Sequence, residues 1–457
     1  MIGEMIFRCE RVLVAAGEAP RDDVAIITQG GVITNIISGL EAAEMYAGVE
    51  VEPMPGLTMP GLIDAHSHLR STTLDAHDLR GKDLEEVLIR MSAMSTVDAE
   101  ADAFVAACDL LLSGVTSVQV MYHCFADPDG YLSGLKAMLR GLDRAGLRAV
   151  VILGITDGRE YISDLMGHPT GALAAYVEPR RGIVPDVFPD VVAEAQLSCG
   201  IGSASLVTLG VGPVAPQWCS DHLLGVVGGI AEQGLRVHTH ALESPRQRSW
   251  TGPDPIERLI RAGLLGPRTS LAHGVWCTED DLSRLAVSGA QLVHCPESNA
   301  KLGAGKARVH EWIAAGITTG MGMDSVHPAH LPRPLHEARA AFGSDALAVE
   351  ALTIGGATCL GHERQTGVIE PGRRADLVAW HDGDEGCPAT VVVEGRVRVR
   401  EGRHLKSMDY ESARHAVETD MAEDSSARAK RHYALDGIMT GYAALLDRHD
   451  DETASRR

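Results

Sequence analysis

The sequence predicts a parallel (β/α)8 TIM-like barrel carrying a small β-sandwich built from both chain ends and a helical C-terminal tail. Eight short apolar runs recur through the middle of the chain. Amphipathic helical stretches separate most of them, and two strand-rich pieces punctuated by Gly and Pro stand at opposite ends.

The first piece, MIFRCERVLVA, VAIITQGGVITNII and VEVEPMPGLTMPG, reads as short hairpin-like strands. The same texture returns in TGVIEPGRRADLVAWHD and PATVVVEGRVRVREG, so residues 1–58 and 363–405 are assigned to one small domain. Residues 59–362 are then an insertion between its halves. The apolar runs there are LTMPGLID, VTSVQVMY, RAVVILGI, LVTLGVGP, LRVHTH, RTSLAH, AQLVHC and ITTGMGMD. Strands apolar on both faces belong to parallel sheets covered by helices. A doubly wound open sheet gives similar text, and the count of eight favours the barrel. Residues 157–187 are Gly/Pro-rich, too long for an ordinary connection, and placed to overhang the active face. Residues 406–457 form a charged helical extension whose apolar stripe packs on its own barrel or on a second subunit.

Composition narrows the function classes. Hydrophobic residues make up 45% and charged residues 23%, which excludes general disorder. Lys plus Arg number 41 against 62 Asp plus Glu, a formal charge of −21 that disfavours nucleic acid and anionic membranes as partners. Nine scattered Cys form no C-x-x-C pair, as expected of a reducing cytoplasm. The opening MIGEMIFRCERVLVAAGEAP does not read as a signal peptide, nor does any stretch reach membrane-span length, so a cytoplasmic location is expected.

The chemistry gathers at strand ends. In MPGLIDAHSHLR, His66 and His68 share a face, because strand side chains alternate. A bare H-x-H is more often an exposed turn, but Pro60, Gly61 and Asp64 in place around it favour a site. In LRVHTHALES, His238 and His240 repeat the spacing, and Glu243 follows. His273 closes TSLAH, and Asp324 closes TTGMGMD. Imidazoles and a carboxylate at successive strand ends suit zinc or ferrous iron with a position left for water.

These motifs, together with GVGPVAPQWCSDHLL, LAHGVWCTEDDL, LVHCPESNAKLGAG and GVIEPGRRADLV, give the chain a specific resemblance. Over roughly residues 1–400 it resembles the amidohydrolase superfamily, in the branch of triazine hydrolases and heteroaromatic aminohydrolases. The resemblance implies His66, His68, His240 and Asp324 as metal ligands, with Glu243, His273 and Asp324 as the catalytic set. His238 stays a structural candidate. The fourth run holds no Lys to bridge two cations, so one divalent metal per chain is expected, zinc first and iron(II) second. Deamination of an amino-substituted N-heterocycle follows, with Glu243 supplying a proton beside the attacked carbon. Hydrolysis of a cyclic amide or amidine, displacement of chloride from a triazine, and a non-catalytic scaffold are the rivals.

Substrate contacts are assigned to His123, Trp276, Asn299, His327 and His330, each weighed against a bland role in a solvated loop. His294 is read as structural, and Arg159 with Glu160 as a surface pair. The segment RSTTLDAHDLRGKDLEEVLIRMSAMS lacks the tryptophan usual in this branch, so the pocket wall is expected to be built differently. The partner is a small heterocycle, and a homodimer or larger assembly would suit the tail.

Overall fold

The computed structural model describes residues 4–46, 49–79, 84–157, 183–199, 205–250, 254–324, 331–381 and 386–454. Four strands open the chain: β1 (Glu4–Val12), β2 (Arg21–Gln29), β3 (Val32–Ser38) and β4 (Val51–Pro60). Eight follow through the middle: β5 (Leu62–Ser67), β6 (Val115–Tyr122), β7 (Arg148–Ile155), β8 (Val207–Pro213), β9 (Arg236–Ala241), β10 (Thr269–His273), β11 (Gln291–His294) and β12 (Thr319–Met321). Four more come late: β13 (Leu377–Trp380), β14 (Thr390–Val393), β15 (Arg396–Arg400) and β16 (Arg403–His404).

Strands β5 to β12 pair in sequence order, all in parallel, and a single bridge between Ser67 and Asp324 joins the last to the first. The apolar runs explain this arrangement. Every residue of β6 and β7 is buried, since helices cover one face and the barrel interior the other. Ile63, Met121, Val150, Ile152 and Val293 fill the interior. Strands from both chain ends form a separate mixed sheet in the order β16-β15-β14-β13-β4-β1-β2-β3. Its halves join where β13 runs antiparallel to β4, with Leu377 opposite Pro60.

The run LTMPGLID, expected as one barrel strand, is divided between the two sheets. β4 continues to Pro60, past the expected boundary at 58, and the barrel strand starts at Leu62. Gly61 makes the transfer: a Cβ there would stand 2.2 Å from the Thr116 hydroxyl oxygen. A buried ion pair also ties the two bodies, Arg148 at the start of β7 reaching Asp376 at 2.8 and 3.1 Å.

The tail lies on its own chain. The helix Ser407–Glu423 packs on the helix Ala99–Leu112, where Tyr410 and Arg414 both donate to Asp109. The helix Ser425–Ala454 backs the segment 84–97: Arg90 meets Asp436 at 2.7 Å, and Arg428 donates to the Ser95 hydroxyl. Most of the 157–187 stretch, with Arg159 and Glu160, lies outside the described residues. Among the described residues no helix is long and apolar enough to cross a membrane.

Candidate active site

The site sits at the C-terminal ends of the barrel strands, where side chains from several strands converge. Alternation along β5 directs His66 inward with Asp64, whose carboxylate accepts the Met323 amide at 2.9 Å and so ties the first strand to the last. β8 and β9 approach closely enough that a Cβ on Gly212 would lie 1.8 Å from the His238 carbonyl oxygen. Leu69, Leu242, His273 and Asp324 all hold left-handed backbone, with φ of 50°, 52°, 74° and 57°. Such conformations cost side-chain-bearing residues about 1–3 kcal/mol each and collect at functional sites.

His66, His68, His240, His273, Glu243 and Asp324 face one cleft. Asp324 Oδ1 is 3.4 Å from His68 Nε2 and 3.7 Å from His66 Nε2. His240 Nε2 and His68 Nε2 are 3.3 Å apart. His273 Nε2 stands 3.7 Å from Glu243 Oε2 and 4.0 Å from Asp324 Oδ2. Two overlapping groups, His66–His68–Asp324 and His66–His240–His273, each bring their donor atoms within 4.8 Å of one another.

The donor set fits a divalent cation. The Nε2 atom of His66 is buried without a hydrogen-bond partner, a costly state that a cation would relieve, and that of His273 is left open toward the cleft. Burial also drives the His66, His240 and His273 imidazoles below their ordinary pKa, which keeps them neutral and able to ligate. Their far nitrogens are anchored. His240 Nδ1 donates to the Val214 carbonyl at 2.7 Å, and His273 Nδ1 to Asn299 Oδ1 at 3.0 Å.

His66 Nδ1 lies 2.8 Å from His238 Nε2, which gives His238 its place. For His66 Nε2 to bind a cation, the proton between the rings must sit on His66 and be donated to His238. His238 Nδ1 then donates to the Ser270 hydroxyl at 2.8 Å. Partners of this kind orient a ligating imidazole, and their loss typically weakens metal binding by roughly 10–100-fold. His238→Phe is therefore expected to lower zinc affinity by about that factor with the fold retained. Chelator competition measures it, and unchanged affinity would reduce His238 to a packing residue.

The two carboxyls differ in state. Burial pushes the Glu243 carboxyl up to about 8, so it carries its proton at neutral pH. Burial works in the same direction on Asp324, but the His68 and His273 rings and the Ser298 hydroxyl, donating at 2.5 Å, hold it below the ordinary value.

The remaining expected contacts divide. His123 lines the cavity above the site. Asn299 is buried behind His273 and holds that ring, so it acts through His273 and does not line the cavity. Trp276 is 43% exposed, with its indole N–H donated to the Ala304 carbonyl, which turns it away from the cavity. His294 is buried edge-on against Trp312 and Phe342, a packing position. His327 and His330 lie outside the described residues. Sequence reasoning missed Arg70, Trp218 and the aliphatic wall of Leu74, Leu84, Val87 and Leu88. Nothing but the absence of a Trp from that segment hinted at the wall.

Residues 57–398 match the family model described as Amidohydrolase family, which is most of the chain. The chain belongs to the amidohydrolase family. A curated 5-methylthioadenosine/S-adenosylhomocysteine deaminase of Saccharophagus degradans is 30% identical to this amidohydrolase, covering 78% of each chain. Among solved structures, an adenosine deaminase from Xanthomonas campestris with bound zinc superposes with a TM-score of 0.72 at 22% identity, over 92% of this chain and 99% of that one. The atrazine chlorohydrolase of Arthrobacter aurescens TC1, complexed with zinc, gives 0.72 at 19% identity over 90% and 100%. Both share the barrel and its appended sheet.

Proposed function

We propose that this amidohydrolase is a cytoplasmic, mononuclear metal-dependent aminohydrolase that releases ammonia from an amino-substituted N-heterocycle. The observation that carries the reading is the split between two carboxyls on one cleft, Glu243 held protonated and Asp324 held ionised. A pair pushed apart in this way supplies an acid and a base at the same pH. Amidohydrolases named as deaminases of adenosine-like compounds lend it support.

His66, His68, His240 and Asp324 would hold the cation, with zinc preferred by three imidazoles and a carboxylate. When bound, it would lower the pKa of a water towards neutrality and supply a nucleophile. Asp324 takes up the proton released as the ring carbon is attacked. Glu243 donates its own to the neighbouring ring nitrogen, which makes that carbon electrophilic. His273, fixed by Asn299, orients the amino group, which takes the proton held by Asp324 and leaves as ammonia while the hydroxyl proton of the adduct returns to Glu243.

Ammonia release from a panel of aminopurines, aminopyrimidines, pterins and aminotriazines, with metal content measured on the same sample, tests this. Ammonia from one member at about one metal per chain is the expected result. Chloride from a chlorotriazine or a ring-opened acid from a cyclic amide, with no ammonia, would overturn it.

A further inference from the structure

The residues lining the cleft fall into two chemical groups. The imidazoles, Glu243 and Asp324 make up one, and Leu74, Leu84, Val87, Leu88 and Leu302 the other. The segment 70–95, which supplies most of the second group, contains no Phe, Tyr or Trp. Among the described residues, Trp218 is therefore the one aromatic surface apart from imidazole that a ring lying over Glu243 and Asp324 can meet.

Trp218 is presented by a braced turn. It ends the single 3-10 turn Pro216–Trp218, which follows β8 by way of Val214 and Ala215. Thr156, just past β7, donates its hydroxyl to the Trp218 carbonyl at 2.5 Å. The buried Arg258 guanidinium donates to the carbonyls of Pro216 at 2.6 Å and Cys219 at 2.7 Å, on either side of the tryptophan. Asp221 holds that guanidinium in turn at 2.8 Å. The start of the loop is tied to the site itself, because the His240 ring donates to the Val214 carbonyl. The indole is buried, packing with Val214 and Ala215 and against Leu88. A side chain fixed in this way loses little freedom when a ligand arrives.

The nucleophile adds to an sp2 ring carbon through one face of the ring, so the opposite face stays available to be covered throughout the reaction. An indole covers a flat heteroaromatic ring by offset stacking, and it does so whatever the pattern of ring nitrogens. An aliphatic wall, by contrast, buries a flat ring and a puckered ring of the same size about equally.

We propose that Trp218 is a substrate-binding residue, its indole stacking on the heteroaromatic ring under attack and selecting flat rings over saturated rings of the same size. This rests on the aminohydrolase reading and adds to it the surface by which the ring is held.

The test uses zinc-loaded full-length protein and calorimetry with two matched pairs of neutral, product-like rings: uracil against 5,6-dihydrouracil, and 2-pyrimidinone against its tetrahydro form. Each flat ring is expected to bind the native protein about tenfold more tightly than its saturated partner. The gap should vanish in Trp218→Leu and persist in part in Trp218→Phe, with zinc content and circular dichroism unchanged. Trp218→Met replaces Trp218→Leu if the latter does not hold zinc. The flat rings should also quench the native tryptophan fluorescence, and Trp218→Phe should abolish the quench although other tryptophans remain. With a panel member that releases ammonia, Trp218→Leu should raise KM about tenfold with kcat little changed, because the stack is already made in the bound substrate.

Equal affinities of flat and saturated rings for the native protein, or no binding of either flat ring, would overturn the proposal. So would a gap that survives Trp218→Leu, or a Trp218→Leu loss that is equal for both members of a pair, which would make the indole a packing wall only. A quench that persists in Trp218→Phe would place the ring elsewhere and overturn it too. The aminohydrolase reading fails separately, if the Trp218-dependent gap is present but no heterocycle of the panel yields ammonia.

Discussion

Asp324→Asn is expected to remove turnover, by a factor of at least roughly 10³, while the barrel stays folded. The carboxylate closes the cluster, with Oδ1 toward His66 and His68 and Oδ2 held by Ser298. An amide in its place keeps the volume and one oxygen, but it is neutral and takes up no proton at neutral pH. The positive field of the cluster then loses its anionic counterpart, so weaker zinc retention should accompany the lost rate. The backbone role is independent of the side chain: the Asp324 amide donates to the His66 carbonyl at 2.8 Å and survives the substitution. Steady-state kinetics with zinc titration and a thermal melt separate these effects. Near-native activity would take Asp324 out of the mechanism.

Glu243→Gln should lower kcat by about 10²–10⁴-fold, the usual contribution of a general acid, with zinc content unchanged. Glu243 is buried, and its own amide donates to Gln247 Oε1 at 2.8 Å, so the loop around it should keep its shape in the variant. Glutamine retains an N–H that can hydrogen-bond to a ring nitrogen, yet it has no proton to give. The sign of the pH dependence follows from the same environment. A carboxyl raised above its ordinary value is protonated below that raised pKa, so the native rate should decline on the alkaline side as the proton is lost. The variant should lack that limb. Loss of zinc in Glu243→Gln would instead make this carboxylate a ligand, a role its grouping with His273 and Asp324 permits geometrically.

The barrel was legible because most positions of its strands are buried, β6 and β7 on both faces throughout, and such strands read as largely apolar runs. VTSVQVMY and RAVVILGI become β6 and β7 to the residue. The candidate site stood out because histidines and acidic residues gather toward the ends of several runs, although polar residues such as Thr116, Ser117 and Gln119 also sit inside β6. Burial alone does not say what a buried ring touches. His238 and His240 carry the same signal in spacing; the resemblance separates them, and the fold shows how, with one leaning on His66 and the other facing the cleft. The structure sets Asn299 behind His273 and ties the Trp276 indole to Ala304, directions that loop residues take from tertiary contacts and that spacing does not encode. The division at Gly61 was hidden inside one uninterrupted apolar run. Arg70 and the aliphatic wall could not be read at all, because a cavity is defined by residues distant in sequence.

The bridge between Ser67 and Asp324 places the seam of the barrel at the site itself. Ser67 and Asp324 are 257 positions apart, a long loop whose closure is among the slower and entropically dearer events of folding. A nascent chain that has made β5 to β11 already owns every imidazole of the cluster but has nowhere to assemble them. The ligand group that includes Asp324 is therefore complete only once the last strand has returned to the first.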